Sequence, residues 1–199
     1  MVINLIFISI LLFVNAELDL ETIRADILTN HNYHRTRHQV DVLTRDSEIE
    51  NVAQAYSVHL ASEDKMEHSG NQNYGENLYY CYSSAGICVT GEKASQSWYK
   101  EVEFYDFNNP GFSSKTGHFT QLVWKGSQKI GCGAACNSQN KCYVTCNYDP
   151  PGNYLDQFQE NVLRLSPELD EGDDEETNEG IFIASKLLMR IISLLIILI

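Results

Sequence analysis

Apolar residues recur at helical spacing in the first half of the chain. The spacing predicts an amphipathic helix from Leu20 to Val40, a second from about Ser47 to Glu63, and a third from Glu92 to Tyr105. Asp46 or Ser47 immediately precedes the second apolar run, and either residue suits the N-cap of a helix.

Short runs rich in β-branched and aromatic residues dominate the second half. They predict strands at His118 to Trp124, Lys129 to Ala134 and Tyr143 to Tyr148. The turn-forming segment Pro150 to Asn153 ends the last of them. Helices followed by clustered strands are typical of an α+β fold.

The N-terminal segment is almost wholly apolar from Val2 to Val14, and small residues follow it around Ala16. This pattern predicts a secretory signal peptide over residues 1–16, removed before Glu17. The run is too short to span a bilayer, because a membrane helix needs about 20 apolar residues.

The C-terminal segment has two contrasting parts. Residues 167–180 are strongly acidic and predict a disordered stalk, while residues 181–199 are apolar except for Lys186, Arg190 and a few small polar residues. Two charges inside a span are costly in a bilayer, so the pattern favours a GPI-attachment signal. A transmembrane anchor and a core helix stay open as alternatives.

The net charge argues against one class of partner. The whole chain carries a formal charge of −13. Eight of its 27 Asp and Glu residues lie between Glu168 and Glu179. Residues 17–167 still hold 19 Asp and Glu against 12 Lys and Arg. Nucleic-acid binding needs concentrated positive charge, so a nucleic-acid partner is excluded.

Six cysteines in a chain with a predicted signal peptide indicate disulfides rather than a metal cluster. Their spacing alone does not select a pairing. The residues are Cys81, Cys88, Cys132, Cys136, Cys142 and Cys146.

Two segments carry a family resemblance. Residues 109–133 and 143–154 read NPGFSSKTGHFTQLVWKGSQKIGCG and YVTCNYDPPGNY, and residues 30–35 read NHNYHR. These segments resemble the CAP superfamily of cysteine-rich secretory proteins, insect venom antigens and plant pathogenesis-related proteins. Over about Leu20 to Leu165, the chain is most similar to the Golgi-associated and the fungal sterol-binding branches. The resemblance implies one CAP domain over residues 17–166, folded as a three-layer α-β-α sandwich.

The resemblance also implies a cleft of two histidines and two acids. His68 precedes the Gly-Glu-Asn-Leu segment that supplies Glu76, Glu101 lies three residues after a tryptophan, and His118 lies in the first signature segment. We expect His68 and His118 to bind Zn²⁺ weakly, with Glu76 and Glu101 orienting the rings. A buried polar network that only maintains the shape of the cleft is the alternative.

For the cysteines, the resemblance favours a Cys136–Cys146 disulfide between neighbouring strands. The pairs Cys81–Cys88 and Cys132–Cys142 would then remain.

An aromatic loop follows the third predicted helix and resembles the sterol-binding loop of the family. A Pro-Gly turn presents its rings, which predicts a lipid-binding surface. One or two of the rings are expected to pack beneath the loop instead. The residues that we expect to contact lipid are Phe104, Tyr105, Phe107, Pro110 and Phe112.

These observations predict a secreted, surface-tethered protein that binds sterol or another lipid and is not an enzyme. An extracellular protein-interaction or immune-modulating module with an inert cleft is the main alternative. A metal-dependent hydrolase is disfavoured, because Ser69 is the one nucleophile candidate beside His68 and no nucleophile elbow surrounds it.

Overall fold

The computed structural model describes residues 18–167. The predicted signal peptide, nearly all of the acidic stalk and the apolar C-terminal segment lie outside the described residues. Within residues 18–167, no helix is both long and apolar enough to cross a membrane.

Five α-helices and four strands follow one another along the described chain. The order is α1 (Leu20–Arg37), β1 (Thr44–Arg45), α2 (Ser47–Glu63), β2 (Gly75–Tyr82), α3 (Gly91–Tyr99), a 3-10 turn (Lys100–Phe104), α4 (Gly117–Leu122), β3 (Lys129–Cys136), β4 (Lys141–Asp149) and α5 (Phe158–Asn161).

The strands form one mixed sheet in the order β1-β3-β4-β2. β1 runs parallel to β3, and β4 pairs antiparallel with both β3 and β2. Helices cover both faces, so the predicted α+β sandwich of three layers is confirmed.

The larger core lies between the sheet and the layer of α1, α3 and α4. Ile27, Trp98 and Phe119 from the three helices pack there against Val144 and Tyr148 of β4. These side chains are almost fully buried. Each contributes roughly 1.5–3 kcal/mol through removal of apolar surface from water.

Helix α2 covers the opposite face at unusually close range. A Cβ at Gly133 would lie 2.3 Å from the Cα of Gln54, and one at Gly131 would lie 2.2 Å from the backbone nitrogen of Glu50. Such distances are impossible for real atoms, so glycine at both positions lets the α2 backbone rest directly on β3. Asp46 is the N-cap of α2 and accepts from two backbone N–H groups of its first turn.

One predicted strand is wrong. The segment from His118 to Trp124 begins as helix α4 and not as a strand. Phe119, Leu122 and Val123, at helical spacing, are all fully buried against the core. Glu101, distant in sequence, accepts from the first N–H groups of α4 and stabilises it. Tertiary contacts therefore override the local β propensity.

The sequence reasoning also missed strand β2 and placed two helix ends too late. Helix α1 ends at Arg37, because Gln39 adopts φ of 59°, and α3 gives way to the 3-10 turn after Tyr99. The second helix and the last two strands lie close to where the pattern predicts them.

All six cysteines form disulfides, but two of the three expected pairs are different. The structure shows Cys81–Cys88, Cys132–Cys146 and Cys136–Cys142.

The register of the β3–β4 hairpin explains this correction. Cys132 lies directly opposite Cys146, and Cys136 lies directly opposite Cys142, with Cα–Cα separations of 4.2 and 4.0 Å. The expected Cys136–Cys146 bond would join residues displaced by four positions, about 13 Å along the strand, which is beyond the reach of a disulfide.

Candidate functional site

His68 and Glu76 form the first of two histidine–carboxylate pairs. His68 lies in the loop after α2, and Glu76 is the second residue of β2. The Nδ1–H of His68 donates to Oε1 of Glu76 over 2.7 Å, and the backbone N–H of Ser69 donates to the same oxygen over 3.0 Å. The Glu76 side chain is 9% exposed, whereas that of His68 is 64% exposed.

The two partners shift each other's protonation. The hydrogen bond to Glu76 raises the pKa of His68, and partial burial opposes this only in part. Burial alone would raise the pKa of Glu76, but the hydrogen bonds from His68 and Ser69 outweigh it and lower that pKa. The carboxylate is therefore ionised at neutral pH and holds the ring in one orientation.

His118 and Glu101 form the second pair. The Nδ1–H of His118 donates to Oε1 of Glu101 over 2.6 Å. The backbone N–H groups of His118 and Phe119 donate to Oε2 over 2.9 and 3.1 Å. Glu101 thus fixes the ring of His118 and also satisfies the otherwise unpaired start of α4.

Asn77 connects the two pairs. It follows Glu76 on β2, and its Nδ2–H groups donate to the backbone carbonyl of His118 over 3.0 Å and to the hydroxyl of Tyr148 over 3.1 Å. The start of β2 therefore lies against the first turn of α4. The structure thus brings the strand that carries Glu76 into contact with the helix that carries His118.

A hollow of about 340 Å³ opens beside the first pair. His68 and Glu76 contribute to its wall together with Gln121, which lies one helical turn after His118. His118 and Glu101 are not among the residues of its wall. Gly75 is needed here, because a Cβ at this position would lie 2.0 Å from Oε1 of Gln121.

A buried line of hydrogen bonds leads from the core to this site, and sequence reasoning missed it. His31 donates from Nδ1 to the carbonyl of Ile27 over 2.9 Å, so its Nε2 accepts from the hydroxyl of Tyr148 over 2.8 Å. Tyr148 then accepts from Asn77. Burial lowers the pKa of His31 to about 3, so this ring stays neutral.

Arg35 holds the segment after α4 in place. Its guanidinium is fully buried and donates to the backbone carbonyls of Asp41, Leu122, Trp124 and Ser127 over 2.7–3.0 Å. Burial lowers its pKa to about 10, which leaves it charged at neutral pH. The NHNYHR segment signalled both His31 and Arg35, but the spacing of its residues did not reveal their partners.

The aromatic loop surrounds a separate hollow of about 310 Å³. Phe104, Tyr105, Pro110 and Phe112 contribute to its wall. Phe104 and Phe112 are 65% and 57% exposed, while Tyr105 is buried.

Phe107 lies elsewhere and packs beneath the loop. Its ring contacts those of His38, Tyr105 and Phe119, and the Arg164 guanidinium lies 5.2 Å above its centroid. One or two of the rings are expected to pack beneath the loop, and Phe107 does so, whereas Phe112 stays exposed.

The two histidines have the donor chemistry of a metal site. Because each Nδ1–H is bonded to a carboxylate, each Nε2 carries the lone pair that a divalent metal requires. Within residues 18–167, the one group of three ligand atoms lying within 4.8 Å is that of Cys81, Cys88 and Cys142. These sulfurs are in disulfides and are not available to a metal.

Ser69 is not arranged as an activated nucleophile. Its Oγ accepts from the backbone N–H of Asn71 over 3.1 Å, and its backbone N–H donates to Glu76 over 3.0 Å. The described contacts do not include a bond from this hydroxyl to the imidazole of His68, whereas nucleophilic catalysis needs a serine bonded to its base.

Comparison with known proteins gives a consistent result. A profile of the CAP family, described as the cysteine-rich secretory protein family, matches residues 28–148. The chain is 38% identical over 143 residues to Golgi-associated plant pathogenesis-related protein 1 of Homo sapiens, a match that covers 69% of this chain and 90% of that protein. It is also 38% identical over 149 residues to Secreted protein RBT4 of Candida albicans, covering 69% of this chain and 40% of that protein.

Solved structures share the fold. BmVAL-1 has a TM-score of 0.59 and 26% identity, over 73% of this chain and 83% of that one. The crystal structure of NaASP2 with Zn²⁺ has a TM-score of 0.57 and 24% identity, over 73% of this chain and 87% of that one. With the profile spanning more than half of the sequence, the chain belongs to the CAP family of cysteine-rich secretory proteins.

Proposed function

We propose that this protein is secreted, is tethered at the cell surface and binds a sterol or another lipid in the hollow beside the aromatic loop. The observation that carries the proposal is the pair of exposed rings, Phe104 and Phe112, in the wall of that hollow. Exposed aromatic side chains grouped around a concavity are typical of an apolar binding site.

The size of the hollow restricts the mode of binding. A volume of about 310 Å³ is at the lower end of the range of small-molecule sites. A sterol would therefore be held along part of its length, with the exposed rings of Phe104 and Phe112 closing over its apolar surface. Covering those rings would contribute about 2 kcal/mol or more.

The test is binding of labelled cholesterol to the purified protein. A Phe104→Ala/Phe112→Ala double variant should bind about 30-fold more weakly, the factor that corresponds to about 2 kcal/mol. Tyr82→Ala, which removes a ring of similar exposure from the end of β2, should bind as the wild type does. Equal affinity of the double variant and the wild type would rule out the loop as the site.

We also infer that Nε2 of His68 and Nε2 of His118 hold a divalent metal weakly. Each ring donates its Nδ1–H to a carboxylate, which fixes the orientation of the ring and leaves Nε2 of the neutral ring to act as the ligand. The NaASP2 structure of the same fold was solved with Zn²⁺. When bound, the metal would supply positive charge and open coordination positions to the cleft.

Calorimetric titration with Zn²⁺ tests this inference. His68→Ala and His118→Ala should each lower the affinity at least about tenfold. His59→Ala removes an exposed histidine from α2 and should leave the affinity unchanged. Unchanged affinity in the first two variants would leave the cleft as a hydrogen-bonded network alone.

Secretion and tethering have their own tests. Expression in a eukaryotic secretory host should give a protein that begins at Glu17. Phosphatidylinositol-specific phospholipase should release it from the cell surface if a GPI anchor replaces residues 181–199. Retention after this treatment would favour the transmembrane alternative.

The competing functions predict other outcomes. An extracellular interaction module would purify without lipid and would bind no labelled sterol. A metal-dependent hydrolase would show chelator-sensitive turnover that is lost in His118→Ala. The arrangement of Ser69 argues against the hydrolase, because its hydroxyl accepts from the backbone N–H of Asn71 and is not bonded to the imidazole of His68 in the described contacts.

A further inference from the structure

A second hollow adjoins the one beside the aromatic loop. It measures about 210 Å³ and shares Pro110, Gly111 and Phe112 with its neighbour. Leu155 and Phe158 complete its apolar wall. The ring of Phe112 therefore stands between two concavities.

The side chains around these two hollows are unusually exposed. Leu155 is 74% exposed and Phe104 is 65% exposed, the two highest values among the large apolar residues of the described chain. Phe112 lies between them and is 57% exposed. We call the surface formed by Phe104, Phe112 and Leu155 the loop face. Exposed apolar side chains grouped in this way mark a contact site for a protein or a membrane.

The charges around the loop face indicate which lipid headgroups it can contact. Asp106 lies in the wall of the first hollow and Asp156 in the wall of the second, and neither wall contains a lysine or arginine. An anionic lipid surface attracts basic residues, which are absent from these two walls. The loop face therefore suits a neutral, zwitterionic lipid surface.

The described chain ends close to the loop face. The guanidinium of Arg164 donates to Oδ1 of Asn108 over 2.8 Å and lies above the ring of Phe107. Ser166 donates from its backbone to the carbonyl of Arg37 over 2.9 Å. Arg164 therefore lies against the aromatic loop, and Ser166 lies against the end of α1.

The sequence beyond this point contains an apolar segment. Thirteen residues separate Pro167 from Ile181, where that segment starts. They span at most about 45 Å, even if fully extended. A membrane that holds residues 181–199, or a lipid that replaces them, would therefore be within reach of the loop face.

We propose that the loop face docks on the surface of a zwitterionic bilayer. The inference extends the proposed lipid binding, since a lipid could then pass between the bilayer and the hollow without crossing water. The docking surface itself follows from the three exposed side chains, the acidic walls and the position of Arg164.

Depth-dependent fluorescence quenching tests this proposal on the full-length protein, isolated with its mature C-terminus and combined with phosphatidylcholine vesicles. Leu155→Trp and Phe104→Trp each add one indole to the loop face, while Val58→Trp adds one to an exposed position of α2. The native Trp98 and Trp124 are buried and give a constant background.

The loop-face indoles should emit at shorter wavelength on the vesicles, and lipids brominated near the headgroup should quench their added emission at least twofold. The Val58→Trp emission should not change. Equal quenching at all three positions, or none at any, would overturn the proposal.

Other occupants give other results. A shift to shorter wavelength without bromolipid quenching would mean that protein covers the loop face, either a second copy or residues 181–199, and would overturn membrane docking. Stronger quenching after phosphatidylserine is added would overturn the assignment to a neutral surface.

Sterol binding measured on the unsubstituted protein with the same vesicles separates this inference from the proposed function. Sterol binding without loop-face quenching would refute the docking proposal but not the proposed function. Loop-face quenching without sterol binding would support the docking and refute the proposed function.

Discussion

Replacing Glu101 with alanine tests whether a distant carboxylate positions the histidine of α4. Glu101 accepts three hydrogen bonds, from the ring and backbone of His118 and from the backbone of Phe119. The variant leaves two backbone N–H groups and one ring N–H without this acceptor.

The magnitude follows from the burial of the pair. Bonds to a charged acceptor contribute about 1.5–3 kcal/mol each in the interior. The side chains of Glu101 and His118 are 19% and 31% exposed, so water can replace part of each bond. At about 1 kcal/mol for each of the three bonds, the Glu101→Ala variant should lose about 3 kcal/mol of unfolding free energy. For a domain of this size, that loss lowers Tm by about 6–12 °C.

Urea denaturation with the disulfides intact measures this loss. The control is Glu103→Ala, two residues further along the same 3-10 turn, where the exposed side chain predicts a change within about 0.5 kcal/mol. Glu101→Gln keeps one acceptor oxygen, so its loss of unfolding free energy should lie between those of Glu101→Ala and Glu103→Ala. The reasoning is refuted if Glu101→Ala and Glu103→Ala unfold with the same free energy.

Three further predictions concern the core. Gly133→Ala should cost about 3 kcal/mol by thermal denaturation, since its Cβ overlaps the α2 backbone, whereas Gly111→Ala has open space and should change little. Because burial lowers the pKa of His31 to about 3, the unfolded chain binds a proton that the folded chain does not, and this histidine alone should lower the unfolding free energy by up to about 1.4 kcal/mol per pH unit below 6.5. Urea curves at pH 7 and pH 5 check this, and a slope unaltered in His31→Gln would contradict it. Mass spectrometry of unreduced proteolytic fragments should recover Cys132 joined to Cys146; a fragment pairing either residue otherwise would show the hairpin register to be wrong.

The second helix and the last two strands were predictable because their patterns are local. Asp46 signals the start of α2, and Pro150 follows the end of β4. Neither signal depends on a residue far away in the sequence.

The helix α4 was not predictable from its own residues. Its sequence is rich in residues that favour strands, and its stability depends on Glu101 and on burial of Phe119 in a core built by other elements. The disulfide pairs likewise depend on register, which the spacing of Cys132, Cys136, Cys142 and Cys146 does not fix.

The sequence predicted which residues belong to the candidate site but not how they are arranged. The resemblance identified His68, Glu76, Glu101 and His118, and the structure pairs each histidine with one of these acids. The role of Asn77 between the pairs depends on how β2 and α4 pack. No sequence separation encodes that arrangement.

Photo-crosslinking with a sterol that carries a diazirine tests the proposed lipid site most directly. We expect mass spectrometry to find the label on residues 104–113, and an excess of unlabelled cholesterol to abolish it. Label confined to the wall of the hollow beside His68 and Glu76, at residues 68–76 or 151–154, would contradict the assignment of lipid binding to the aromatic loop.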